Sequence, residues 1–360
     1  MTFRNPREAA IFNLERIADA ETERDPLSAD ELIVLKQSRD WPKPELVDFS
    51  TGNNYDQNDL KNDERWVEEQ QRREHETKAT KRGKILEYAI FKNAESADWF
   101  GPEAYTVQTT EYDDRHNHID FVVEWETDEK IERLGIDATT AESAEVIEKK
   151  RNIISQEIAE GRFGTVKYFE SEIDGSVGPI EQIPRLILAV DRDGVKRLAK
   201  DLVHKKPLEL ADNPEQLLLL EQIQTQMVDQ IKETLELVLR QLAYKRRLLS
   251  PENKKQLGKL AEIAYQAEHD PNTLHKLLTA IDESPELIEQ AKGFPTIDRY
   301  LNGFERQRAI LRIAEGLIAQ KNNSLSAGAL ERAKQDGQRN AVLQMTPRRF
   351  TVPPQLAASA

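Results

Sequence analysis

Ala104-Tyr-Thr-Val-Gln-Thr-Thr-Glu-Tyr112, Asp113-Asp-Arg-His-Asn-His118 and Ile119-Asp-Phe-Val-Val-Glu-Trp125 read as a strand, a polar turn and a second strand. Each apolar run is β-branched or aromatic and is bounded by turn formers. Beyond a polar loop over 127–132, Arg133-Leu-Gly-Ile-Asp-Ala-Thr-Thr140 supplies a third strand, so the stretch predicts two consecutive β-hairpins. Pairing Trp125 with 132–134 sets Asp120 opposite 137–139, which brings Asp120 and Asp137 to facing positions on adjacent strands. Opposed or diagonal residues on one face of a sheet have Cβ atoms ~4.5–8 Å apart, a span that one or two metal ions bridge with oxygen ligands. The period of two puts Asp120, Val122 and Glu124 on one face of the second strand and Phe121, Val123 and Trp125 on the other.

The flanks complete a layered core. From Gly83, residues Ile85, Leu86, Ala89, Ile90 and Ala94 recur at three- and four-residue spacing, which predicts a helix with one apolar face. After the third strand the pattern predicts a helix over 141–160 closed by Gly161 at C′, a strand over 162–170, and a Gly/Ser loop over 174–179. Arg185-Leu-Ile-Leu-Ala-Val190 then reads as a short buried strand, and Asp191 as the N-cap of a helix over 194–204. Helix, three strands, helix, strand, strand and helix pack most simply as one mixed sheet covered by helices, an α+β core over 83–205.

On either side the pattern differs. Residues 1–82 form a polar helical arm, with helices over 7–20 and 28–38, a Pro/Asn/Gly-rich stretch over 41–58 and a charged helical run over 60–81. Its few apolar positions cannot build a core, so the arm packs on something else or is partly disordered. From 206 to 345 the reading is all-α, with helices over 251–268, 272–282, 285–291, 297–320 and 326–340. Leu220, Ile223, Met227, Ile231, Leu235, Val238 and Leu242 step by three and four, a coiled-coil-like seam that serves either internal helix packing or a homodimer through 217–242. The tail over 346–360, with Pro347, Pro353 and Pro354, is expected to be flexible.

Composition sets outer limits. The 360 residues are 38% hydrophobic and 32% charged, and 51 basic against 65 acidic side chains leave a net charge of −14. A uniformly basic coat for nucleic acid is excluded, so any such contact rests on local basic patches. Cysteine is absent, which removes disulfides, thiolate metal sites and cysteine nucleophiles and fits a cytoplasmic location. The N-terminal residues lack an apolar h-region and no apolar run approaches the ~20 residues needed to span a bilayer, so a membrane partner is not expected. There is no glycine-rich phosphate loop, dinucleotide fingerprint or recognisable Ser/His/Asp set.

The order helix, three antiparallel strands, helix, strand, with Glu87 in Gly83-Lys-Ile-Leu-Glu-Tyr-Ala, Asp120 in His118-Ile-Asp-Phe and Asp137 in Gly135-Ile-Asp-Ala-Thr, resembles the PD-(D/E)XK nuclease superfamily. The resemblance covers about 83–205, a stretch that also looks like uncharacterised bacterial proteins. It implies a restriction-endonuclease-like core in which Asp120 and Asp137 hold Mg²⁺ or Mn²⁺, Glu87 orients metal or water, and a lysine two positions after the second acid helps activate the attacking water. Thr139 stands at that position, so a migrated cation is needed near the metal-bound water. Lys167 on the following strand is preferred, because that strand is expected beside the third, with Lys149 and Lys150 on the following helix as alternatives.

His116-Asn-His-Ile-Asp120 separately resembles the HxHxD core of the metallo-β-lactamase superfamily, which implies zinc held by alternate residues of a strand. Phe121 stands where that motif closes on histidine. Basic clusters at 78–84, 149–151, 205–206, 245–247 and 348–349 are phosphate contacts on one reading and solvated helix faces on the other. Two functions follow: a Mg²⁺- or Mn²⁺-dependent nuclease acting on DNA or RNA, or a non-catalytic interaction or scaffold protein on a degenerate nuclease-like core.

Overall fold

The computed structural model describes residues 25–41, 43–50, 54–73, 78–128, 130–140, 144–211, 213–267, 273–338, 340, 342 and 343. The helix expected over 7–20 and the tail over 346–360 lie outside them.

A four-stranded mixed sheet organises the molecule. Its strands β1 (Ala104–Gln108), β2 (Phe121–Glu126), β3 (Ile131–Thr139) and β6 (Arg185–Ala189) lie in the order β1-β2-β3-β6. The first two pairings are antiparallel and β3 with β6 is parallel. A parallel neighbour requires a crossover, here made by helix α5 (Ala144–Ala159) and a small two-stranded sheet of β4 (Gly164–Val166) and β5 (Ile180–Ile183). Gly161, at φ +68°, turns the chain out of α5 as expected.

Alternation along the strands decides what covers each face. Phe121, Val123, Trp125, Leu134, Ile136, Leu186 and Leu188 share one core with Ile85, Leu86, Ala89 and Ile90 of helix α3 (Lys78–Ala97). Ile187 and Ala189 meet Val146, Ile147, Ile154 and Ile158 of α5. Val122 and Ile119 pack on Val166 and Ile183 of the small sheet and on Phe169 just beyond it.

The arm is pinned to this core. Helix α1 (Ala29–Arg39) opens on a capping box in which the Ser28 side chain accepts from the Glu31 N–H and Glu31 accepts from the Ser28 N–H. The second carboxylate oxygen of Glu31 reaches Arg82 of α3 at 2.8 Å, and both side chains are buried. A 3₁₀ turn (Leu46–Ser50) and helix α2 (Gln57–Arg73) follow, and Phe49, Leu60 and Val67 join Tyr112 and Tyr168 in a satellite cluster.

Two strand expectations need correction. The first hairpin is not closed by a turn: β1 ends at Gln108 and a helix, α4 (Glu111–Asn117), is inserted before β2. Thr110 caps it, its side chain accepting from the Asp113 N–H; Glu111, Asp113 and Asp114 fill the first turn, and His118, at φ +54°, ends it in the left-handed region. The strand expected over 162–170 forms a ladder over Gly164–Val166, with β5 and not beside β3, and pairs again only as an isolated bridge between Glu170 and Val177. Its ladder stops because the Asp113 carboxylate accepts the backbone N–H groups of Lys167 at 2.6 Å and Tyr168 at 3.0 Å.

Helix α6 (Arg192–His204) starts at the Asp191 cap, whose side chain accepts from the Gly194 N–H. From there on the described chain is helical: α7 (Pro207–Leu210), α8 (Pro214–Tyr244), a 3₁₀ turn (Arg246–Leu248), α9 (Pro251–Ala267), α10 (Thr273–Asp282), α11 (Pro285–Lys292), α12 (Pro295–Ser324) and α13 (Ala327–Gly337). The seam on α8 packs within the chain, the internal one of its two readings. Leu220, Ile223, Met227, Ile231, Leu235, Val238 and Leu242 are all buried within one chain, in the same cluster as Leu301, Phe304 and Leu311 of α12.

A second stripe on α8 caps the sheet. Gln222, Gln226 and Gln230, four residues apart, face the outer edge of β6. Gln222 accepts the Ala189 N–H at 2.8 Å and donates to its carbonyl at 3.0 Å, and Gln226 does the same for Ile187 at 3.1 and 2.7 Å. Gln230 donates to the Arg185 carbonyl at 2.8 Å. Three side-chain amides thus stand where a fifth strand would hydrogen-bond.

Phe163, which leads from α5 to β4, sets the tip of its ring against α12 at Gly303. A Cβ on Gly303 would lie 2.0 Å from the ring's Cζ. Gly303→Ala is therefore expected to destabilise the fold by about 1–3 kcal/mol through overpacking. Thermal unfolding checks this, and an unchanged midpoint would mean that the ring yields freely.

Candidate metal centre

Three carboxylates from three elements converge at the end of the sheet. Glu87 projects from α3, Asp114 from α4, and Asp120 lies immediately before β2; one oxygen from each lies within 4.8 Å of the others. Asp120 is the fixed member. Its N–H donates to the Ile136 carbonyl at 2.8 Å and its Oδ2 accepts the Ala138 N–H at 2.6 Å. With Phe121 paired to Ile136, the register continued by one residue sets Asp120 opposite Asp137, as expected from the sequence.

Like charges in a confined, buried space raise one another's proton affinity. Burial, then the neighbouring Glu87, Asp114 and Asp137 charges, hold Asp120 well above the usual carboxylate range. Glu87 is pushed up to about 7, mainly by burial and by Asp114, with the Lys43 ammonium opposing the shift. Burial works on Asp114 in the same sense, but the Lys43 ammonium outweighs it and holds that carboxyl below its ordinary value. Lys43 Nζ lies 2.6 Å from Asp114, 3.6 Å from Glu87 and 4.0 Å from Glu111. Those acids in turn hold its own pKa well above that of a free lysine despite burial.

Asp137 stands beside this group rather than within it. Both of its oxygens accept from Lys150 Nζ at 3.1 Å, and its charge acts on Asp120. His118 belongs to the same neighbourhood: burial and the nearby Arg185 push its imidazole down to about 4, against the pull of Asp137.

The expected lysines are elsewhere. Lys167 Nζ donates to Asp63 of α2 at 2.6 Å and lies over the Tyr112 and Tyr168 rings, so its charge secures the arm to the core. Lys149 pairs with Glu145 one turn away at 2.8 Å on a half-exposed face. Thr139, the last residue of β3, pairs with Ala189 of β6. Among the described residues Lys150 meets Asp137 and Lys43 meets Asp114 and Glu87, and the charges of Lys84 and Arg115 also act on Glu87 and Asp114.

The zinc reading needed alternate residues of one strand. His116 instead lies in α4, stacked on the Tyr112 ring at 5.0 Å, and His118 occupies the left-handed cap of that helix. Of the basic run 149–151, Arg151 is buried in an ion pair with Asp229 and Lys150 is held by Asp137, so it presents no continuous basic face. Arg82, within the run 78–84, is likewise buried against Glu31.

Asp114 and Lys43 were not singled out from the sequence. Thr110 followed by Asp113 at the third helical position carries a capping signal that would have revealed α4 and so the direction of Asp114. Nothing local points to Lys43, whose contact spans 71 residues.

The donor set suits a hard divalent cation. Three carboxylates and no thiolate favour Mg²⁺ or Mn²⁺ over softer metals. No family model, curated protein or solved structure matches the chain.

Proposed function

We propose that this chain is a Mg²⁺- or Mn²⁺-dependent hydrolase of nucleic-acid phosphodiesters, built on a restriction-endonuclease-like core of the PD-(D/E)XK type. The observation that carries the reading is the convergence of Glu87, Asp114 and Asp120 within 4.8 Å at the strand end where Asp120 faces Asp137. The order of α3, the antiparallel trio β1–β3, the crossover helix and the parallel β6 supports the same assignment.

When bound, the metal supplies polarisation of a phosphoryl oxygen and a water acidic enough to attack at neutral pH. The chain's residues prepare that step. The Ala138 N–H holds one oxygen of Asp120, which fixes the direction of the other. Glu87 and Asp114 add the remaining charge from two helices. Lys150 orients Asp137 through both oxygens and is a cation carried by the helix after β3, in place of the lysine missing at Thr139. Local basic side chains, not the overall charge of −14, would meet the phosphate backbone.

The test is cleavage of DNA and RNA with Mn²⁺ by the wild type against Asp120→Ala. Loss of at least about 100-fold in rate is expected in the variant, since the fixed ligand is gone. Cleavage that survives the substitution would assign the activity to another site.

A second reading, a non-catalytic interaction protein on the same core, is favoured by Lys43, which already neutralises part of the acidic group from within. Wild type that cleaves no substrate and binds no metal would select it.

A further inference from the structure

Lys43 is held in a distinctive way. Its ammonium lies within 4.0 Å of three carboxylates carried by two helices, α3 and α4. The segment that carries it is anchored on both sides by aromatic contacts. Trp41 packs on Phe91 and Tyr88 of α3, with ring centroids 4.1 and 5.4 Å apart. Phe49 lies against Tyr55 and Tyr168 at 5.8 and 5.7 Å. Between these anchors Glu45 and Asp48 close a small turn, the Glu45 N–H donating to Asp48 at 2.9 Å, and Val47 points outward, 57% exposed. Lys43 is the side chain through which the segment is seen to meet the acidic group.

Resting on the metal-centre reading above, we propose that Lys43 is the resident counter-cation of the centre, that a divalent metal binds by displacing it, and that this exchange loosens the 43–50 segment. The geometry favours exchange. Metal–oxygen distances are roughly 2.0–2.6 Å, and the ammonium sits 2.6 Å from Asp114 and 3.6 Å from Glu87. A metal on those oxygens would therefore lie within about 5 Å of a like-signed ion in a partly buried setting, where repulsion exceeds that in water. A flexible four-carbon stem lets the ammonium leave without moving α3 or α4. Its departure removes the direct tie between the segment and the acids.

Two measurements on the full chain test this. Calorimetric titration with MnCl₂ is expected to show Lys43→Met binding about tenfold or more tighter than wild type, because the competing charge is gone. Hydrogen exchange on wild type is expected to show faster exchange of the 43–50 amides at saturating Mg²⁺ than in EDTA. Unchanged exchange in the metal-saturated wild type overturns the proposal even if Lys43→Met proves unstable, and equal or weaker Mn²⁺ binding by a folded Lys43→Met overturns it independently. Failure of both proteins to bind Mn²⁺ overturns the metal centre together with the exchange, whereas equal binding removes the exchange alone.

Discussion

Gln226→Leu is expected to cost about 2–6 kcal/mol of folding stability. Leucine fills nearly the same space on α8, but it leaves the N–H and C=O of Ile187 on β6 without the partners they have at 3.1 and 2.7 Å. Both groups are buried beneath α8, and each unsatisfied buried backbone group costs about 1–3 kcal/mol. The loss is comparable to the whole stability of many domains, about 5–15 kcal/mol. Replacing Gln222, Gln226 and Gln230 together should prevent folding or leave an edge that pairs with other chains. Urea unfolding of the single variant and solubility of the triple variant check this. A cost below about 1 kcal/mol for Gln226→Leu would mean that water reaches the β6 edge.

Stability without metal should fall as pH rises from 5 to 8. Glu87 titrates near 7 in the folded protein against an ordinary value of 4.5, so between those values the folded state holds a proton that the unfolded state has released. With more protons bound in the native state, stability declines with pH across that window. The size is at most about 3 kcal/mol for this group, whose side chain is 22% exposed. Asp120 adds to the effect in the same direction. Asp114 is depressed instead, and its contribution disappears only below its ordinary value of 3.8, outside the window. Thermal unfolding in EDTA should therefore give wild type and Glu87→Gln similar midpoints near pH 4, where the carboxyl is protonated in both states, with the variant increasingly the more stable up to pH 7 and beyond. Parallel pH dependence for the two proteins would exclude Glu87 as the source. Added Mg²⁺ should stabilise wild type more at pH 8 than at pH 5.5, because the ligands must be deprotonated to bind.

Legibility followed locality. Asp191 and Gly161 carry their information in their own side chain and backbone preference, and each stands where a cap was expected, while Ser28, read as the start of a helix, is its N-cap. The register that faces Asp120 with Asp137 was legible because alternation along β2 leaves little freedom to slip. The insertion of α4 was not, because Tyr112 to His118 is as polar as a turn and its cap signal competes with strand-like neighbours. The short pairing of 164–166 depends on Asp113, more than fifty residues earlier. Lys43 and Lys150 reach the site acids only after the arm and α5 have packed, so no window of sequence could choose them over Lys167.

Neighbouring acids on α4 have separate employments. Asp113 faces inward and ties down the backbone of 167–168, while Asp114 faces the carboxylate group. The strands on either side are already closed beneath them, with Gln108 paired to Phe121 and the Thr109 N–H donating to the Asp120 carbonyl at 3.1 Å. The nine residues from Thr110 to His118 are thus a cassette seated on a completed hairpin. Exchanging its length or content would change the number of acids at the sheet end without altering the ladder that positions Asp120. Ligand count is therefore adjustable separately from architecture, provided that some acceptor still takes the two amides that Asp113 now holds.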